Sequence, residues 1–284
     1  MAKIALVTDS TTYMPPELVR QYNISVAPQV LIWGDQTYKD GVDIESREFF
    51  TRLKTAKEMP TTSQVSVVSF QEIFDDLVNR DFEVLALLVS SKLSGTIQSA
   101  MQAKELMGPA GEKVSVVDSQ SVAMALGFQV LAIARALDDG ASLQDSIALA
   151  EKSFQYTGVF FAVDTLEFLH RGGRIGGAQR FLGTMLNMKP ILAIQDGRVE
   201  GIDRIRTKNK AHDRVLDLTV EKVAGRTPVH LATLHANAAE DARALLTRAE
   251  EALQPVESIF TEVSPTVGTH AGPGTVGLAF MAGL

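Results

Sequence analysis

The chain has 284 residues, 45% of them hydrophobic, with 27 Lys and Arg against 34 Asp and Glu and a net charge of −7. That length suits two domains or one large α/β domain, and the acidic balance argues against a nucleic-acid binder, whose phosphate contacts need a positive surface. Cysteine is absent, which excludes disulfides, thiolate catalysis and cysteine-ligated metal.

The opening segment, 1–9, has one basic residue and a four-residue apolar run, unlike a secretory leader. No stretch approaches the ~20 apolar residues of a membrane helix, so the expectation is a cytoplasmic protein without stable membrane insertion. The negative charge falls entirely on residues 1–157. Residues 158–284 balance, and within them 171–214 are locally basic, which suits an acidic partner or a solvated face equally.

In chain order, 4–7 reads as a buried strand ending in Thr8-Asp9-Ser10-Thr11, and Pro15-Pro16 opens a helix at its favoured first turn. A second strand is expected over 24–32, and helices over 47–56 and 67–79. The continuous apolar run 84–89 suits a parallel strand covered on both faces. A helix over 95–107, a strand over 114–117 and helices over 122–137 and 143–154 follow. This alternation predicts a parallel α/β sheet. Its ligands would sit beyond the carboxyl ends of the strands, where the polar clusters 8–11, 90–96 and 118–121 fall.

The pattern changes near 155–158. A strand over 159–163 leads through 166–170 into Arg171-Gly172-Gly173-Arg174-Ile175-Gly176-Gly177, and a helix is expected over 178–186. Asp196-Gly197 between 191–194 and 199–205 signals a hairpin. A helix (209–223), a strand (229–234), a helix (238–253) and a strand (258–263) complete a smaller mixed domain, and the last apolar stretch, 275–281, is expected to pack as a helix. The expected fold is thus two α/β domains, 1–157 with a parallel sheet flanked by helices and 158–284 with a mixed sheet, and a ligand between them.

Three segments carry candidate chemistry. Gly268-Thr269-His270-Ala271-Gly272-Pro273-Gly274 reads as a tight loop whose only ionisable group is His270. Thr61-Thr62-Ser63-Gln64 and Ser90-Ser91-Lys92-Leu93-Ser94-Gly95-Thr96 are rich in hydroxyls. Each alone is more simply a turn or a helix cap. Together they suggest a clamp for an anionic group: hydroxyls of Thr62 and Ser94, the helix N-terminus after Ser94, and His270. A Ser94–His270 nucleophile and base, as in an esterase or acyltransferase, is the alternative, although no Gly-x-Ser-x-Gly elbow frames Ser94. A nucleotide enzyme is a further rival, but the chain lacks a Walker A motif and a dinucleotide fingerprint in context. His230 and His235, five apart in or just after a strand, point to opposite faces and do not pair as metal ligands. Asp40-Gly41-Val42-Asp43 reads as a turn.

Thr62-Ser63-Gln64-Val65-Ser66 with Phe70, Ser94-Gly95-Thr96-x-Gln98-Ser99-Ala100, Val117-Asp118-Ser119, Arg171-Gly172-Gly173-Arg174-Ile175, Lys189-Pro190-Ile191-Leu192 and Thr269-His270-x-Gly272-Pro273-Gly274 together resemble the DegV family. The match runs in order over 4–280. Ala271 and Val65 depart mildly from the family pattern. The resemblance implies a long-chain fatty acid, such as palmitate, stearate or oleate, buried between two α/β domains, and no other cofactor or metal. It implies a lipid-binding subunit, not an enzyme by itself, that presents the acyl carboxylate to a separate fatty acid kinase. The acyl phosphate product would feed phospholipid synthesis. By motif position Thr62, Ser94 and His270 would bind the carboxylate, with Ser63, Gly95, Thr96 and Gly272 in the supporting loops. Arg206 would lie near the head group or the partner, and Arg171 and Arg174 would dock the kinase. For the tunnel wall the candidates are Phe160, Phe161, Phe168, Phe181 and Met185, each of which suits ordinary core packing as well.

Overall fold

Short apolar runs punctuated by polar turns build the first half of the chain. In the computed structural model, residues 3–183 and 188–284 are described. β1 (Lys3–Asp9) leads into α1 (Pro16–Gln21), β2 (Ser25–Ala27), β3 (Val30–Trp33) and β4 (Gln36–Lys39). α2 (Ser46–Leu53), β5 (Thr61–Ser63), α3 (Val67–Asn79), β6 (Phe82–Leu88) and α4 (Thr96–Leu106) follow. β7 (Val114–Asp118), α5 (Ala123–Asp138) and α6 (Leu143–Ser153) complete the half. β2, β1, β6 and β7 form, in that order, a wholly parallel sheet. The stretch 24–32, expected as one strand, is two. Pro28 has no N–H to give a ladder, and the N–H of Gln29 turns to the Ser10 hydroxyl at 3.0 Å. The chain then leaves the parallel sheet, and β3 joins β4 and β5 in a small antiparallel sheet.

The second half contains β8 (Thr157–Ala162), α7 (Glu167–Arg171), β9 (Lys189–Gln195), β10 (Arg198–Ile205) and α8 (Lys208–Val223). It ends with β11 (Val229–His235), α9 (Ala239–Leu253), β12 (Glu257–Ile259), α10 (Pro265–Ala271) and β13 (Val276–Ala282). Its sheet runs β10-β9-β8-β13-β11-β12, antiparallel except for the β11–β12 pair. The C-terminal stretch expected as a helix is therefore the strand β13, between β8 and β11. All seven of its residues are buried, and a run apolar on both faces carries no period that separates strand from helix. The helix expected over 178–186 is a 3-10 turn, Gly176–Phe181. Residues 184–186 of that range, with Met185, lie outside the described residues.

The period-two alternation of strands decides the layers. Val159 and Phe161 of β8, Leu192 of β9, Leu234 of β11 and Ala279 of β13 face one cluster. Phe160, Ile191, Leu231 and Leu278 face the other, under α8 and α9. The first cluster also holds Leu6, Leu85 and Leu87 of the parallel sheet and most of α5. α5 is thus sandwiched between the two sheets, and eleven of its sixteen residues are buried. α3 and α4 cover the far side of the parallel sheet. Segments 1–157 and 158–284 consequently share one continuous core. At its edge the β9–β10 hairpin tip is latched to the first half: Ser90 Oγ donates to the Gly197 carbonyl at 2.6 Å and Lys92 Nζ to that of Asp196 at 2.7 Å.

Candidate functional site

In the parallel sheet β1 has β2 on one side and β6 on the other. The connections diverge there, and open α/β sheets leave a crevice beyond the carboxyl ends of such strands. Asp9 closes β1 at this point and is fully buried. Its Oδ1 accepts from Thr11 N (3.0 Å), Thr11 Oγ1 (2.7 Å) and Gln29 Nε2 (3.2 Å), and its Oδ2 from Val89 N (2.7 Å). Burial pushes the Asp9 pKa up, and these four donors pull against that. Gln29 passes the connection outward: its Nε2 lies 2.9 Å from Thr96 Oγ1, which is 2.8 Å from Ser94 Oγ. A buried polar chain therefore runs from Asp9 to Ser94 and holds the Ser94 hydroxyl in place.

The opposite wall comes from the second half. Ser264 caps α10 by accepting from Val267 N, with Pro265 at the first helical position. The segment 268–274, expected as a loop throughout, is helical up to Ala271, and His270 sits in the last turn. Gly272 (φ 79°) ends the helix, and a Cβ there would meet the Phe168 ring at 2.3 Å. His270 Nε2 lies 2.7 Å from Thr62 Oγ1, joining α10 to β5 across 208 residues. Gly172 packs on the other side of the imidazole, where a Cβ would stand 2.1 Å from Nδ1.

Between these walls is a cavity with about 800 Å3 of space free of protein atoms, its opening to solvent included. Thr62, Ser63, Ser94, Arg174 and His270 lie in its wall with Thr11, Gln29 and Thr266. The remainder is apolar: Val159 and Phe161 from β8, Ile194 and Val199 from the hairpin, Leu234 from β11, and Val89, Leu93, Val122 and Leu169. Of the aromatic residues considered for the wall, Phe161 lines the cavity. Phe160 points to the opposite face and stacks on Phe280, while Phe168 and Phe181 are outside the lining.

The structure brings Thr62, Ser94 and His270 to one cavity and adds Arg174. The Arg174 guanidinium donates from Nε to the Leu93 carbonyl (3.1 Å) and from Nη1 to that of Gly172 (2.7 Å). Thr96 is buried behind Ser94, and Gly95 packs beside Gln64. Arg171 is exposed and paired with Glu167 at 2.6 Å. Arg206 is exposed beyond the far end of β10 and is not in the cavity wall. Asp40-Gly41-Val42-Asp43 is a turn. Sequence reasoning missed Gln29, Thr266 and the buried Asp40, which accepts from Ser10 Oγ at 2.7 Å. For Asp9, which it placed in a polar cluster at a strand end, the missing part was the four donors.

His270 is held neutral. Burial, and then the Arg174 charge, push its pKa down from 6.5 to about 4. The unfolded chain therefore takes up a proton that the folded chain refuses as pH falls from 6.5 towards 4, and stability is lost over that window. His235, also pushed down to about 4 by burial, adds to this loss. Asp40 opposes it: burial raises its carboxyl from 3.8 to about 6, so the folded state holds the extra proton between those values. His270→Gln is expected to flatten the loss of stability between pH 6.5 and about 4.5, by roughly one proton in the slope. Chemical denaturation at a series of pH values measures this, and an unchanged slope would contradict a neutral buried imidazole.

His270 Nε2 is engaged with Thr62 and Ser94 Oγ with Thr96, so among the described residues the geometry does not pair Ser94 with His270 as nucleophile and base. The groups converging on the cavity suit holding an anion at one end of an apolar space. No helix among the described residues is long and apolar enough to cross a membrane.

Comparison with known proteins agrees over the whole chain. The family model described as "Uncharacterised protein, DegV family" matches residues 3–283. A DegV domain-containing protein from Halalkalibacterium halodurans is 34% identical over 281 residues, covering 99% of both chains. A solved structure described as fatty acid binding of a DegV family protein from Thermus thermophilus is 35% identical, covers 99% of each chain and superposes with a TM-score of 0.92. The structure of DegV from Bacillus subtilis, described as a fatty acid binding protein, is 30% identical, with 99% and 100% of the two chains covered and a TM-score of 0.90. This chain therefore belongs to the DegV family.

Proposed function

We propose that this protein binds a long-chain fatty acid in the cavity and presents its carboxylate to a separate ATP-dependent kinase. The observation that carries this reading is the polarity of the cavity wall, with hydroxyls from β5 and the loop after β6, the imidazole of α10 and the guanidinium of the turn after α7, and side chains of β8 to β11 supplying an apolar floor. Fatty-acid binding described for the Thermus and Bacillus relatives supports it. Thr62 and Ser94 hydroxyls donate to the carboxylate, Arg174 supplies the charge, and His270 orients Thr62. Burying about fourteen methylenes at roughly 0.8 kcal/mol each gives on the order of 11 kcal/mol gross, much of it offset by ordering.

The protein is then a cytoplasmic substrate carrier, not a catalyst by itself. In the transfer a carboxylate oxygen forms a bond to the terminal phosphorus of ATP. The bridging P–O bond breaks, and ADP leaves with its electron pair. The acyl phosphate supplies phospholipid synthesis. Exposed Arg171 and Arg206 are candidates for contact with the kinase.

Thr62→Ala and Ser94→Ala are each expected to weaken palmitate binding by about 1.5–3 kcal/mol with the fold intact, the cost of a lost charge-assisted bond. Titration with palmitate alongside circular dichroism checks this. Unchanged affinity in both variants would rule out the proposed clamp, and turnover of an activated ester abolished by Ser94→Ala would favour the esterase reading.

A further inference from the structure

A second hollow lies against the lipid cavity. It has about 610 Å3 of space free of protein atoms, its opening to solvent included, and is lined by Lys92, Leu93, Gly173, Arg174, Gly176, Arg198 and Val199. Leu93, Arg174 and Val199 belong to both walls. Arg174 is thus the partition: anchored through Nε and Nη1 to two backbone carbonyls, with Nη2 unpartnered among the described residues. On the outer side Lys92 and Arg198 are exposed. Lys92 Nζ keeps one bond, to the Asp196 carbonyl, and Arg198 Nε is 3.0 Å from Glu200 Oε1. Gly173 leaves open space where a Cβ would stand. Among the described residues the cleft wall carries three cations and no carboxylate, Glu200 pairing with Arg198 from outside the lining.

We propose that this cleft is the seat of the phosphoryl group of a fatty acyl phosphate, with Lys92 and Arg198 on its outer oxygens and Arg174 between the phosphoryl and acyl groups. This rests on the fatty-acid reading above and extends it. A carboxylate is a monoanion, already served by two hydroxyls and one guanidinium. Two further cations just outside suit a group that arrives only when the carboxylate is phosphorylated, with a charge of about −1.5 to −2. The cleft then does more than dock a partner: it favours the product head group over the substrate's.

The test compares palmitate with its stable acyl phosphate mimic, a long-chain β-ketophosphonate, by calorimetric titration. The paired change Lys92→Gln with Arg198→Gln is expected to leave palmitate affinity within about twofold and to weaken the phosphonate about tenfold or more. Removing two charges elsewhere, Lys152→Gln with Lys222→Gln, is expected to change neither. Retained palmitate binding shows that the variants fold. If palmitate binds but the preference is the same in all proteins, the cleft assignment alone is overturned. If the wild type binds neither compound, the fatty-acid reading falls and takes this proposal with it. ATP binding to the palmitate-loaded protein that the cleft variant loses, without a phosphonate preference, would assign the cleft to the nucleotide's phosphate and overturn the acyl phosphate.

Discussion

Asp9→Ala is expected to destabilise the protein by about 3–5 kcal/mol, because it strands several buried donors at once. The amides of Thr11 and Val89, the Thr11 hydroxyl and the Gln29 amide all point at this carboxyl. Asp9 is fully buried, so water does not replace what is lost. The damage then spreads along the chain to Ser94, because Gln29 loses an acceptor while still contacting Thr96. Palmitate affinity should therefore fall even where the variant remains folded. Urea denaturation without ligand measures the first effect and titration the second. A loss of stability below about 1 kcal/mol would contradict the role given to Asp9.

Ile194→Glu is expected to weaken palmitate binding at least about 100-fold, close to 3 kcal/mol, with a far smaller effect on the empty protein. Ile194 lies on β9 in the cavity wall and is only half-buried, so a glutamate there can reach water when the cavity is empty. A bound tail removes that water and leaves a carboxyl against methylenes, which must then bind a proton or stay unsolvated. Ile194→Met, similar in volume and apolar, should bind within a fewfold of the wild type. Equal affinities for the glutamate and methionine variants would show that the tail does not cross this floor.

Much of the parallel sheet was legible because its strands are apolar runs ending in hydroxyl clusters, as at Val84 to Ser90. α3 appears at the expected bounds because Ser66 caps it and Phe70, Phe74 and Leu77 repeat at helical spacing. Other features depend on distant partners. β13 has no alternation because both of its faces are covered, by α5 and by α8 and α9. β4 and β5 are short and polar, and they become strands only by pairing with β3. α10 carried a readable signal, Ser264-Pro265, that the glycines after it obscured.

In the site, Thr62, Ser94 and His270 were chosen for their chemistry and their motifs, and the fold adds the link between Thr62 and His270. Arg174 was assigned to a docking surface by its motif position, in keeping with the locally basic segment around it. The turn through Gly172 and Gly173 folds it back against Leu93, a contact 81 residues away that local pattern does not encode. Arg206 is the opposite case. It follows β10 at the end far from Val199 and lies outside the cavity wall, which no motif position reveals.

The central claim is that the cavity holds a fatty acid, and mass spectrometry of the purified protein, native and then after organic extraction, tests it most directly. The account predicts one C14–C18 fatty acid per chain, or its stoichiometric uptake when palmitate is added. An empty protein that takes up no added fatty acid would contradict it.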